Sequence, residues 1–425
     1  MSWATKKTLL FTSTTLAASV VATSVFAGGF ALREQSAYYQ GMSFAGYGTT
    51  GDSISSMFWN PATITGAGHG ITHEQHGTLV MPYGELEGTN SFPAFGLEES
   101  FRTNDFASDA FLPAGYTTYK ASDSVYFGLA VTAPYGLSTK IDDDDWTGAG
   151  YNQSSKIFSI NINPLVGFKV NEKFSFAFGP QVQYADIRLR NATASPSIAP
   201  SAPDAALVGN GWGVGVTAGL TFKPIDAAEI GIGYRSAIFT NIGGNVKIGD
   251  FSDTKVNTIM PTPDMITVSG KYSFTENIRV LGSFEWTNWS RLQTPKVIID
   301  GTDAQLTTLP FNYNDGYFVA LGGEYDFNEK LTLRAGLAYE WSPIDEEIRS
   351  VRLPDSDRLW VSGGASYTFN EHVAFDIGYT HIFPSSADIN IGPGHQDYDP
   401  VKGDFVGSVE DGNVNIVSAS VKLRF

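Results

Sequence analysis

Apolar and polar side chains alternate in segment after segment of this chain. After the first 27 residues, no apolar run is long enough to cross a bilayer as a helix. In "LTLRAGLAYEW", Leu331, Leu333, Ala335, Leu337, Tyr339 and Trp341 fall on one face, and Thr332, Arg334, Gly336, Ala338 and Glu340 on the other. "FSFAFGPQVQY" places Phe174, Phe176, Phe178, Val182 and Tyr184 opposite Ser175, Ala177, Gln181 and Gln183. The last residues, "NIVSASVKLRF", repeat the pattern and end on Phe425. Fourteen such segments are read, near 70–87, 109–121, 124–141, 155–170, 174–191, 209–224, 228–249, 264–275, 278–292, 313–327, 331–344, 357–369, 373–384 and 413–425. Their connections alternate in length. Short turns such as "VNEK", "TEN" and "NEH" are followed by long links at 142–154, 192–208, 250–263, 293–312 and 385–412. An even strand number with short turns at one end and long loops at the other predicts an all-β fold, a transmembrane antiparallel β-barrel of about fourteen strands. A soluble β-sandwich or propeller accounts for the alternation but not for the loop rule or the terminal aromatic.

Composition supports this reading. Charged residues are only 17% of the chain, aromatics are 13%, and glycine occurs 45 times. There is no cysteine, so disulfides and thiolate metal sites are excluded. A net charge of -17 argues against nucleic-acid binding, which needs a basic face. Lys6 and Lys7 precede an apolar stretch that ends in Val25-Phe26-Ala27, a small-bulky-small triplet. Residues 1–27 therefore read as a cleaved secretory signal with Gly28 the first mature residue. Residues 28–69 then precede the first strand, and 70–425 form the barrel. With an even strand number both ends lie on the short-turn, periplasmic side. The segment 28–69 is glycine-rich and carries Phe30, Phe44, Phe58 and Trp59. It is expected to fold into the lumen as a plug, because a fourteen-stranded wall leaves more room than side chains fill.

The residues of that segment carry a resemblance. "GGFALREQSAYYQGMSFAGYGTTGDSISSMFWNPA", Gly28 to Ala62, resembles the N-terminal hatch of the FadL/TodX family, outer-membrane importers of long-chain fatty acids and other hydrophobic compounds. "TAPYGLST" (132–139), "GWGVGVTAGLTF" (211–222), "IGIGYRS" (230–236) and "RSVRLPDSDRLWVS" (349–362) extend the resemblance over the mature chain. It implies a bacterial outer-membrane transporter without a cofactor. Ligand is captured at outer loops, passes to a lumen pocket gated by the hatch, and leaves sideways through a kink in the third strand. Implied hatch and gating residues are Phe30, Asn60, Pro61 and Ala62. The implied kink is Pro134, Tyr135 and Gly136. Proline cannot donate to a ladder and so belongs at a bulge or break. Arg188, with Phe58 and Trp59, is the expected ligand-binding set; the alternative for Arg188 is a place on the outer rim. A second basic position of the fatty-acid members falls on Asn314, which leaves uptake of neutral aromatic or alkane hydrocarbons open. Expected partners are lipopolysaccharide and the barrel assembly machinery, the latter reading Phe425; the chain is expected to be monomeric.

Other features point elsewhere. His69, His73 and His76 are close in sequence, but strand geometry turns His73 and His76 to opposite faces, against a shared metal. Asp142 to Asp145 lack the glycine and spacing of a calcium loop and read as a solvated acidic loop. A barrel enzyme needs a positioned His beside its nucleophile, and His372, His381 and His395 sit in no such motif. A plain diffusion porin has no need of a forty-residue plug.

Overall fold

The computed structural model describes residues 28–68, 70–141 and 146–425; the expected signal, His69 and the acidic run 142–145 lie outside the described residues. Fourteen antiparallel wall strands form the ring. The first four are Ile71–Phe92, Ala110–Lys120, Val125–Thr132 continued by Gly136–Lys140, and Ser154–Lys169. The fifth to ninth are Phe174–Ala192, Asp204–Ile225, Ala228–Arg235 continued by Ile238–Ile248, Ser252–Thr262 continued by Met265–Ser273, and Ile278–Thr287. The rest are Gly316–Asp326, Leu331–Trp341, Arg358–Thr368, Val373–Pro384 and Asp404–Arg424. The first strand pairs with the last, from Thr72 opposite Arg424 to Ser91 opposite Asp404, and so closes the barrel. Closure leaves no edge, as a strand sheet in lipid requires.

The predicted alternation is realised strand by strand. In the eleventh strand Leu333, Leu337 and Trp341 point outward while Arg334, Ala338 and Glu340 are buried inside. The outer surface between the short turns and the loops is thus a band of exposed Leu, Val, Ile and Phe side chains, the face a bilayer covers.

One link was misread. The stretch expected as a long connection at 250–263 is mostly strand, and Ile238–Ile248 pairs with Ser252–Thr262 as a hairpin turning at Gly249, which is left-handed. Its sequence, "SDTKVNTIMPTP", shows little alternation. A ribbon that rises above the membrane has water beside it, so the apolar signal fades and only the partner strand reveals it.

Residues 28–68 lie inside. They form a short helix Ala37–Gln40 and two 3-10 turns, Ile54–Phe58 and Pro61–Gly66, and most of their side chains are buried. The wall meets them with polar groups. Glu74 accepts from Ser53 Oγ (2.6 Å) and from the Ile54 amide (3.1 Å), Glu285 accepts from Tyr47 Oη (2.8 Å), and Arg235 donates to the Phe58 carbonyl (2.9 Å). Lys271 and Lys422 donate to the Thr50 and Asp52 carbonyls. These buried acids and bases of the wall therefore have partners supplied by the inner segment, which is what burial demands.

The approach of the two backbones is so close that a Cβ added at Gly231 would collide with the Gly48 carbonyl oxygen, and one at Gly336 with that of Met42. Gly231→Val is therefore expected to push the inner segment off the wall and cost about 1–3 kcal/mol. The check is a lower melting temperature of the purified barrel together with faster protease cleavage between residues 28 and 68. A protein that melts and resists protease as wild type refutes this account of the glycine.

Candidate functional site

The third strand breaks at Ala133-Pro134-Tyr135. On one side, Thr132 pairs with Asn161 and Gly136 with Phe158, so four residue steps of the third strand face three of the fourth. This is a bulge, where a proline is tolerated. On the other side, pairing with the second strand stops at Gly115 opposite Val131 and returns only at Ala107 opposite Thr139. Between these points the two wall strands part.

Backbone groups freed by the parting are taken up from within. Leu32 N–H donates to the Pro134 carbonyl (2.8 Å) and Gly136 N–H to that of Phe30 (3.0 Å), with Ala31 bridging Tyr135. Gln35 donates to the Ala133 carbonyl (2.9 Å) and accepts from its amide (3.3 Å). Tyr135 exchanges two bonds with the Ser159 hydroxyl, each 2.9 Å. Residues 30–35 thus stand in for the missing stretch of neighbouring strand.

Phe30 also caps an apolar slot. Its ring packs edge-on to Trp289 (4.7 Å between centroids) and to Tyr135 (6.0 Å), and Trp289 in turn meets Tyr313 (5.9 Å). Beyond Phe30 the slot is walled by Leu137, Ile157, Ile187, Met260, Phe311, Ile344 and Leu353. Its free volume is about 60 Å³. Typical ligand sites hold ~300 Å³ or more, so a ligand enters only if side chains move.

The far end of the slot is charged. Arg352 donates to Asn191 Oδ1 (2.7 Å) and Ser155 Oγ (3.3 Å). Among the described residues no carboxylate comes within ion-pair distance of this guanidinium. Burial pushes its pKa down, and nearby Asp397 only offsets this in part. Lys402 shares the outer pocket with Arg352 and Asp397, and its pKa is pushed down by burial and then by Arg352. Burial likewise raises the Asp397 carboxyl against the pull of His395, Arg352 and Lys402. Arg352 and Lys402 thus sit beside Asp397, whose carboxyl burial inclines to neutrality, with Asp399 also acting on Lys402.

Of the residues expected at the site, Phe30, Tyr135 and the Pro134 and Gly136 backbones are brought together. Arg188 is not. Its neighbours Ile187 and Leu189 line the slot, and strand alternation turns Arg188 outward, where it pairs with Asp186 (3.1 Å). The expectation of a buried ligand contact gives way to the rim arginine. Phe58 and Trp59 belong to another cluster. Trp59 packs among Tyr39, Phe44 and Tyr47, and Arg235 lies over the Phe58 ring at 4.3 Å. Asn314 donates to exposed Asp345 (2.6 Å), outside the slot. His76 is spent on Glu74 (3.1 Å) and the Ala37 amide (3.1 Å), while His73 bonds Thr117 on the other face.

Asn60 holds the inner turn. Buried completely, it accepts from the Ala62 amide (3.1 Å) and donates to the carbonyls of Gly48 (2.6 Å) and Leu220 (2.9 Å), while Pro61 opens the 3-10 turn. Trp289 and Arg352 were not singled out as site residues. Trp289 falls in the segment read as strand to 292, whereas the strand ends at Thr287, and Arg352 lies in a loop where no periodicity marks an inward side chain.

The family model described as "Outer membrane protein transport protein (OMPP1/FadL/TodX)" matches residues 18–425. The chain belongs to this family. It is 27% identical over 418 residues to a long-chain fatty acid transport protein of Salmonella typhi, covering 90% of this chain and 94% of that one. It is likewise 27% identical to outer membrane protein P1 of Haemophilus influenzae, over 84% of this chain and 86% of that one. A solved Pseudomonas aeruginosa FadL homologue superposes with a TM-score of 0.82 at 21% identity, covering 93% of this chain and 99% of the other. The Ralstonia pickettii toluene transporter TbuX superposes at 0.65 with 17% identity, over 94% and 99%. This FadL/TodX-family chain is an outer-membrane β-barrel transporter of hydrophobic compounds.

Asn60→Ala removes the side-chain partner of the Gly48 carbonyl and the Ala62 amide and a second bond to the Leu220 carbonyl, at about 1–3 kcal/mol for each group left orphaned. The expected result is faster amide hydrogen exchange across residues 46–66 with the wall strands unchanged. Unchanged exchange in that segment refutes the role given to Asn60.

Proposed function

We propose that this transporter imports long-chain fatty acids, with the alkyl chain in the slot capped by Phe30 and the carboxylate on Arg352, aided by Lys402. The observation that carries the reading is a guanidinium at the end of an apolar slot with, among the described residues, no carboxylate within ion-pair distance. A buried carboxylate needs such a partner, and arginine offers a bidentate one. The relatives named as fatty acid transport proteins favour the same class.

In this reading residues 28–68 are a hatch, a unit separate from the barrel. Ligand reaching the slot displaces Phe30. Because Phe30 and Leu32 hydrogen-bond the broken strand, that movement also frees the parting between the second and third strands, and the ligand leaves sideways into the membrane. Lateral exit spares an alkyl chain any passage through the polar, filled lumen below. The protein acts as a monomer, is placed in the membrane by the assembly machinery, and is not an enzyme.

Uptake of labelled oleate and labelled toluene in a host without its own importer tests the ligand. Oleate uptake is expected. Arg352→Ala should reduce it at least tenfold at equal surface abundance, and Arg352→Lys should restore part of it, since the charge returns without the fork. Toluene uptake without oleate would replace the fatty acid by a neutral hydrocarbon.

The exit is tested separately. Pro134→Val with Gly136→Thr should mend the strand and abolish uptake while the barrel still folds, since the added Cβ at position 136 also meets Leu32 Cδ1 at 2.8 Å. Normal uptake by the double variant sinks lateral exit through this break.

A further inference from the structure

A cluster of buried charge surrounds the start of the mature chain. Among the described residues it holds four buried carboxylates, Glu34, Glu285, Glu340 and Asp355. Three arginines answer them. Arg33 bonds Glu285 (2.8 Å) and Glu340 (3.1 Å), and Arg358 bonds Asp355 and stands 3.7 Å from Glu340 Oε2. The third, Arg349, is turned to the backbone carbonyls of Asp355 and Asp388. Arg235 is within electrostatic reach of Glu285 as well. The bonding is incomplete on both sides: both oxygens of Glu34 and Oε2 of Glu340 accept no hydrogen bond, and Arg33 Nε donates none. Burial raises Asp355 to about 6 despite Arg358 beside it.

Gly28 is buried at this cluster. A Cβ built on it would stand 2.7 Å from Glu340 Oε1, so its nitrogen is within about 5 Å of that oxygen. The next amide, Gly29 N–H, already donates to Asp355 Oδ2 (3.0 Å). We propose that the α-ammonium created at Gly28 by removal of residues 1–27 is a further cation of this cluster, seated as an ion pair on Glu340 beside Asp355. While the leader is attached, Gly28 offers only a neutral amide and the cluster lacks this charge. Cleavage supplies the charge at a point two residues from Phe30, the cap of the slot. Leader removal thereby does more than trim the chain: it completes the inner face that holds the cap in place. The inference does not depend on which compound is carried.

The test uses the full mature protein, folded in detergent. N-terminal sequencing is expected to give Gly28; another terminus overturns the proposal. The rate at which trace acetic anhydride labels the Gly28 α-amine is then followed against pH by peptide mass spectrometry. An ordinary α-amine titrates at ~7.7–8.0. Pairing with Glu340 should move the midpoint up by about one unit, a roughly fivefold loss of reactive amine near pH 8. Simple burial lowers the rate at every pH without raising the midpoint. Glu340→Gln should bring the midpoint back down. An ordinary or lowered midpoint in the wild type overturns the proposal whether or not that variant folds, and so does a folded Glu340→Gln variant that keeps a raised one.

Discussion

A backbone amide in hydrocarbon has only other backbone to bond, and the whole molecule is arranged around that demand. Fourteen strands meet it by closing on one another. The same closure creates a lumen wide enough to need filling. Inward positions that alternate with the lipid-facing ones carry Glu74, Glu229, Glu285, Glu324, Arg235 and Lys422. Ionised groups of this kind stay inside only if each finds a partner, and residues 28–68 bring those partners.

At the break in the third strand the demand is met by backbone from inside the barrel and not from the neighbouring wall strand. Leu32, Phe30 and Gln35 complete the hydrogen bonding that the second strand gives up. Mending the wall from inside ties two things together. The residues that bridge the gap belong to the stretch whose phenyl ring closes the slot, so neither can move far without the other. A coupling of this sort needs no long-range pathway; it is a shared stretch of six residues.

Much of this was legible beforehand. Period-two alternation placed the fourteen strands, because lipid outside and polar filling inside impose opposite chemistry on neighbouring residues. Pro134 marked the break because its missing N–H cannot sit in a continuous ladder. Arg188 shows the limit. Its strand lines the slot through Ile187 and Leu189, but one residue of register decides between slot and surface. The alternation that named the strand did not say where, above the membrane, inward ceases to mean polar.

The sequence by itself determined the barrel, the strand number, the inner segment and the site of the break, all consequences of local pattern read against a bilayer. Only the tertiary structure decided that Phe30 closes a slot ending in Arg352, and that Gly28 meets Glu340. Those contacts join residues more than 300 positions apart along the chain. Loops and inner turns have no repeating environment to imprint a period on their residues. Their side chains acquire direction only once the ring of strands has closed around them.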